Sequence, residues 1–505
     1  MTRMLIRVMD ETYNAMVART GLIFLSGVLI VLAVLLTLQL PPLSGNYPSV
    51  KRASIVDGPG VYGESGYTAV YVDQSGIYVA AYSMYDGPCG PNKGSVFLQK
   101  INLNDSVVWQ KVLGTMDCGN DTQIGGIIGG PQGVYLIGTQ LHGSYTSDFY
   151  QAVAWVQEFD RQSGKTIWVH HFTTNSTSQF SSGDFGTWVY TISVAKSGIY
   201  IAGRAWGQIV SDLPSDHNQP ASNDTSAFIE RYDLAGDLMW SQRMENLSYI
   251  TGAYASDEGV YFAGGGLAGK YDINGTLLWI RRFGAIPGAE ATGASGDQTG
   301  VYLVGDLNRQ GLVEKYTFHG DELWIHQIAS QGQFGSDVQG LRVSAGVDGV
   351  YVAGITSGTL PGQAFTGPYD SFVRKYSTGG METWTAQFGP ADQFAVYVSN
   401  DGVFVVGSTI GAPFGQQHNG FAAAFVVEFS FSSVFTMFGL IPPWSYLAAI
   451  LLASGIAGSI TSVVHVIRER RRERVSLGPV ISYDRPGSSQ ATLVRGAFFS
   501  SGAMR

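Results

Sequence analysis

Residues Gly259–Gly284 read GVYFAGGGLAGKYDINGTLLWIRRFG. A short apolar strand (Val260–Ala263) is followed by a second strand ending in Lys270-Tyr271-Asp272. An Asn274-Gly275 turn then leads into a third strand carrying Trp279. Alternating aromatic and β-branched residues, punctuated by Asp/Asn-Gly turns, describe an antiparallel meander.

The pattern recurs along the chain, so its period sets the architecture. A Gly-(Val/Ile)-(Tyr/Phe) signature starts at Gly76, Gly133, Gly198, Gly259, Gly300, Gly349 and Gly402. A further strand, ending near Lys100, Phe159, Tyr232, Tyr271, Tyr316, Tyr376 or Phe429, follows each copy. Six copies continue into a strand with a tryptophan: Trp109, Trp168, Trp240, Trp279, Trp324 and Trp384. With the strand before the signature, each unit has four strands, A to D. Seven such units with irregular loops predict a seven-bladed β-propeller, the tryptophans packing between blades.

The seventh unit lacks its D strand. An open ring would expose strand edges, so an N-terminal segment, Ser49–Val56, is expected to complete it. Both ends of the ring then leave from the rim that bears the A–B and C–D turns. On that rim the turns are short, as in Asp73–Gly76, Asp297–Gly300 and Asp233–Asp237. On the other rim, the B–C connections Tyr82–Ser95, Arg204–Ser226, Ile355–Asp370 and Ser408–Gly420 are long. Long loops on a rigid scaffold are where binding usually resides, so this rim, with its B–C and D–A loops, is the expected working face.

The chain has 505 residues, 66 of them Gly, with 12% aromatic and 14% charged residues. This composition suits an all-β protein with many turns and not a disordered chain. Two uncharged apolar runs, 21–40 and 443–467, frame the repeats, and each is long enough to span a bilayer as a helix. We read the first as an uncleaved anchor, since its apolar core exceeds that of a signal peptide and no small-x-small site follows.

The expected organisation is a cytoplasmic tail (1–20), a transmembrane helix (21–40), a linker (41–52), an extracytoplasmic propeller (53–435), a second transmembrane helix (443–467) and a basic, disordered cytoplasmic tail (468–505). Of the net charge of −9, residues 444–505 carry eight Arg against Glu469, Glu473 and Asp484, and residues 41–443 carry −15. The cluster Arg468, Arg470, Arg471, Arg472 and Arg474 directly follows the second run, which places both termini in the cytoplasm. The acidic middle argues against nucleic acid as a partner. Expected partners are membrane lipid, through the two helices, and an unidentified extracellular protein or glycan.

Cys89 and Cys118 are the only cysteines and fall on one rim, where a single disulfide is expected in an extracytoplasmic domain. Asn104, Asn120, Asn175, Asn223, Asn246 and Asn274 occupy Asn-x-Ser/Thr sequons and are glycosylation candidates. No catalytic constellation is legible. His170 and His171 are adjacent on a strand and point to opposite faces, and no metal-binding spacing of His or Cys appears. The Gly264–Gly266 run lies within a strand repeat and is no phosphate cradle. Asp212, Asp216, Asn218, Asn223 and Asp224 offer oxygen ligands for calcium, but in no recognised loop spacing. No cofactor is expected beyond this calcium option.

The copies Gly300–Gln327 and Gly349–Gly389, with GVYVAG, SFVRKY, ETWTAQFG and Asp392 beyond, resemble the seven-bladed β-propeller repeat family called SBBP. The resemblance covers roughly 53–430 and implies a propeller serving as a surface binding or scaffold module. A single stretch, Phe159–Trp168 (FDRQSGKTIW), is similar to the repeat of quinoprotein propellers. That similarity would imply an oxidoreductase binding pyrroloquinoline quinone on the axis, although the vicinal cysteines of that family's site are absent. Three readings remain: a membrane-anchored surface propeller that binds a protein, glycan or envelope partner; a quinoprotein-like or other propeller enzyme; and a structural envelope component. Fold alone does not choose among them.

Overall fold

In a computed structural model of the chain, the described residues lie within 48–431, except 58–63, 88–89, 103, 105, 117–119, 144–149, 175–184, 208, 212–224, 285–286, 333–336, 400–401 and 412–422. Both apolar runs and the Arg468–Arg474 cluster lie outside them. Among the described residues no helix is long and apolar enough to cross a membrane.

All regular structure described is β. After β1 (Pro48–Asp57), unit 1 comprises β2 (Glu64–Asp73), β3 (Gly76–Gly87), β4 (Gly90–Ile101) and β5 (Val107–Met116). Unit 2 has β6 (Asn120–Gly129), β7 (Val134–Gly143), β8 (Tyr150–Phe159) and β9 (Thr166–Thr174). Unit 3 has β10 (Phe185–Ala195), β11 (Gly198–Trp206), the short β12 (Ile209–Ser211), β13 (Thr225–Tyr232) and β14 (Leu238–Met244). Unit 4 runs β15 (Gly252–Ser256), β16 (Gly259–Gly264), β17 (Leu267–Asp272) and β18 (Leu277–Arg282). Unit 5 runs β19 (Glu290–Asp297), β20 (Gly300–Leu307), β21 (Gln310–Tyr316) and β22 (Glu322–Ile328). Unit 6 is β23 (Val338–Gly346), β24 (Gly349–Thr356), β25 (Asp370–Tyr376) and β26 (Glu382–Phe388). Unit 7 has β27 (Ala391–Val398), β28 (Val403–Thr409) and β29 (Ala423–Phe431).

The first strands neighbour one another in a closed cycle: β2, β6, β10, β15, β19, β23, β27 and back to β2. The ring is completed by β1, which pairs antiparallel with β29 from Pro48↔Phe431 to Asp57↔Ala423. Glu428, buried in β29, takes ion pairs from Lys51 (2.5 Å) and Arg52 (3.6 Å) of β1. The expected closing strand is thus present, and it begins inside the stretch read as a linker because the last sheet needs a fourth strand. The compact unit runs Asn46–Ser432.

The repeat signature is explained by where its strand sits. All six residues of β16 are buried. Val260 and Phe262 pack with Tyr200 and Ala202 of unit 3, whereas Tyr261 and Ala263 pack with Val301 and Leu303 of unit 5. Alternate residues of one strand therefore fill two inter-unit cores, which demands apolar side chains on both faces. The outer strands β18 and β22 are mostly exposed, with their Trp turned partly inward.

Two features were not legible in sequence. Segment Tyr82–Ser95, read as a long loop, is mostly a hairpin, since β3 and β4 stay paired out to Gly87↔Gly90. Segment Arg204–Ser226 contributes β12, which pairs with β9 and covers the outer edge of unit 2. A short parallel bridge, Phe185↔Gln151 and Gly186↔Ala152, further joins units 2 and 3 into one sheet.

Candidate functional site: a propeller rim and its axial channel

The two rims differ in construction. On the rim of A–B and C–D turns, one device repeats. Asp272 Oδ1 accepts the N–H groups of Asn274 (2.9 Å) and Thr276 (2.7 Å). Asp233 does the same for Ala235 and Asp237, and Asn102 for Asn104 and Ser106. Such side-chain clips hold tight turns. The preceding unit's tryptophan then donates its indole N–H to a carbonyl of the turn: Trp109 to Arg161, Trp240 to Ile273, Trp279 to Phe318 and Trp324 to Thr378, at 2.9–3.3 Å. Gly275 (φ +82°) lies so close to the Trp240 ring that a Cβ would stand 3.0 Å from it. Above the buried tyrosines Tyr78, Tyr261, Tyr302 and Tyr351 sit Lys100, Lys270, Lys315 and Lys375, 4.7–5.2 Å from the ring centroids. The tryptophans thus pin neighbouring units together, and their surroundings leave no stacking platform for a ligand.

The histidines of this region are packing groups. His170 stacks on Trp168 (4.9 Å) and Tyr232 (6.2 Å), and His326 stacks on Tyr376 (5.3 Å) and packs at a tilt against Trp324 (5.1 Å). His171, one residue on, is exposed. Carboxylates at the A–B turns are compensated: Asp348 by Lys375 (2.5 Å) and Asp73 by Arg161 (3.3 Å).

The opposite rim is irregular. There the Arg204 guanidinium lies 4.2 Å from the Trp188 ring centroid. Tyr249 donates its hydroxyl to Glu290 (3.1 Å). Burial, with Glu290 and Asp306 nearby, pushes the Tyr249 phenol up to about 12. Asp306 is raised by burial and by the charge of Glu290. The Ile355–Asp370 connection is tightly knit. Buried Asp370 accepts from Thr366 N, Thr366 Oγ1 and Gln387 Nε2, each at 2.9 Å. Leu360 is fully buried, and Thr359 bridges to Gln331. Sequence reading missed Trp188, Tyr190, Arg204, Tyr249, Glu290 and Asp306. Trp188, Tyr190 and Arg204 belong to unit 3, Glu290 and Asp306 to unit 5 and Tyr249 to the loop between units 3 and 4, so packing of successive units gathers them at this rim.

The sequence-derived candidates divide as follows. Asn104, Asn246 and Asn274 are exposed, the first and last on the turn rim. Asn120 opens β6. Asn175, Asn223 and the oxygen-rich set Asp212, Asp216, Asn218 and Asp224 lie outside the described residues. So do Cys89 and Cys118. Among the described residues no group of His, Cys, Asp or Glu is arranged to hold a metal.

Between the rims runs an axial channel of about 650 Å³, walled by the seven first strands. Thr68, Gln123, Thr191, Thr251, Thr292 and Ser344 line it, and among the described lining residues there is no carboxylate and no histidine. A second pocket, at the turn-rim mouth, shares Ala345, Tyr397 and Val398 with the channel and is lined by Asp73, Asp297 and Asp348. Phe159–Trp168, which carried the quinoprotein similarity, is the C–D hairpin joining β8 to β9 at the turn rim.

These features define an all-β repeat protein of β-propeller-like fold. No protein-family profile matches the chain, and no curated protein matches it in sequence. Among solved structures it is similar to the endosialidase of phage phi92 (10% identity, TM-score 0.39, covering 78% of this chain and 74% of that one). It is also similar to the WD40 domain of Neurospora crassa Pan2 (9%, 0.40, 75% and 96%). A third likeness is to the hemagglutinin-neuraminidase ectodomain of parainfluenza virus 5 (9%, 0.36, 86% and 100%). At such distance nothing about ligand or activity transfers.

Proposed function

We propose that this chain is a seven-bladed propeller held outside the cell by its two apolar runs, binding a surface partner through the B–C and D–A loops. The observation that carries this reading is the pairing Pro48↔Phe431. It sets Pro48 and Phe431 side by side on the turn rim, and in this reading the chain leads from that rim to both apolar runs. The rim of variable loops, with Trp188, Arg204, Tyr249 and Glu290, then faces away. A basic cluster after the second run keeps both termini cytoplasmic. In the same reading Cys89 and Cys118 form a bridge on the loop rim, with both thiols blocked to alkylation until reductant is added.

The test is capture of a partner from intact cells by the tagged full chain. Replacing 212–224 by a short Gly-Ser turn, and separately Ile355–Asp370 by a hairpin turn, should abolish capture, while changes in the Asp272–Leu277 turn should not. Undiminished capture by both loop variants overturns the reading. So does labelling of the ring by a membrane-impermeant reagent only after cell lysis.

A further inference from the structure

One position of the channel wall breaks the repeat. Five first strands besides β23 bulge against their partners at the same level, and the residue after the bulge is Ala69, Gly126, Thr191, Gly293 or Ala395. In unit 4, which has no bulge, the same level holds Gly252. Each lies opposite the residue four beyond the signature glycine, so these positions are equivalent around the ring. In unit 6 the equivalent residue is Arg342, opposite Ala353. Small residues at six of seven positions leave the axis open. The seventh sends a guanidinium into it.

The bulge itself re-aims this side chain. It holds Gly340 at φ +66° and buries Leu341 completely, leaving Arg342 accessible from the channel. The guanidinium is hemmed in by protein but remains open to the axial space. Its Nη1 donates to the Leu341 carbonyl at 3.0 Å. The surrounding protein lowers its pKa by desolvation. A guanidinium open to the axial space, with no carboxylate among the described residues lining the channel, offers its remaining donors to an anion. The remaining wall favours the same ligand chemistry. Ser193, Ser295 and Ser344 each accept an N–H from the next unit (Ala255, Ala345 and Val398, 2.8–3.0 Å), so each hydroxyl hydrogen remains to be donated. Among the described residues lining the channel Arg342 is the single charged group, while Asp73, Asp297 and Asp348 line the adjoining pocket at the turn-rim mouth.

We infer that the axial channel is a binding site for a small molecule bearing an oxyanion, with Arg342 as its anchor. A planar five-donor fork suits a carboxylate or phosphate oxygen pair, and the channel volume is that of an ordinary small-molecule site. This site is separate from the loop rim and does not depend on the surface-binding reading.

Calorimetric titration of the full chain with inorganic phosphate and, separately, with glucuronate, in a buffer without other oxyanions, tests the assignment. At least one probe should bind saturably with one site per chain. Arg342→Gln should weaken that binding at least tenfold. Arg281→Gln, which removes an exposed arginine of β18, and the 212–224 replacement should leave it unchanged. Phosphate binding alone assigns the site to phosphate esters, and glucuronate binding alone to carboxylates. Two results overturn the inference: neither probe saturating, or Arg342→Gln binding as tightly as the wild type while retaining the wild-type thermal transition.

Discussion

Glu230→Gln should make this protein more stable at alkaline pH and leave it nearly unchanged in mild acid. Glu230 lies in β13, fully buried, accepting hydrogen bonds from Tyr232 Oη (2.6 Å) and Ser241 Oγ (3.1 Å). Burial pushes its carboxyl up from 4.5 to about 7, against the opposing pull of those two bonds. Between these values the folded chain holds a proton that the unfolded chain has released. Stability therefore falls as pH rises from about 4.5 to about 7, and this group adds no further slope above that. A difference of about 2.5 units corresponds to roughly 3 kcal/mol.

The glutamine isostere keeps an acceptor for Tyr232 and does not titrate. The variant should gain up to roughly 3 kcal/mol over wild type at pH 8 and close to nothing at pH 4.5. For a unit the size of Asn46–Ser432 that is about 4 °C in Tm. Urea unfolding followed by tryptophan fluorescence at both pH values measures it, and the difference between variant and wild type cancels every other carboxylate. If Glu230→Gln is the less stable protein at pH 8, or tracks wild type at both, the carboxylate is ionised in the fold and the reasoning fails. Glu314, raised to about 6 and bonded to Tyr316 Oη and the Gly284 N–H, should behave alike with a smaller gain.

Two further outcomes follow from the inter-unit contacts. Gly275→Ala puts a Cβ against the Trp240 ring at a left-handed φ, and should cost about 2 kcal/mol in chemical unfolding; a loss under about 0.5 kcal/mol would dismiss the Gly–Trp clip as a device. Deleting 48–57 removes β1 and bares the length of β29, so the truncated chain should self-associate in size-exclusion chromatography, whereas a monodisperse monomer would show that closure is dispensable.

Much of this architecture was readable from residue order. The Gly-(Val/Ile)-(Tyr/Phe) strands and Asp/Asn-Gly turns are local, and in units 1 to 6 each strand of the four-stranded meander pairs with its sequence neighbour. Hence the seven units, the packing role of Trp240 and Trp279, and the need for a borrowed strand near Ser49–Val56 could be stated before any coordinates. The hairpin in Tyr82–Ser95 was missed because its Gly-Pro-Cys-Gly centre reads as loop while its arms pair beyond the core. The exposure pattern of Glu230 could not be foreseen either, since its environment comes from strands on both sides.

What residue order determined by itself was the repeating unit, because β periodicity and turn chemistry act over a few residues. What only the tertiary structure decided was the meeting of groups far apart in sequence. Tyr249, in the loop between units 3 and 4, reaches Glu290 at the start of unit 5. Arg342 sits in the axis because a bulge turns it there and six small residues elsewhere on the ring leave it room. Such placements depend on how whole units pack against one another, which no local pattern encodes.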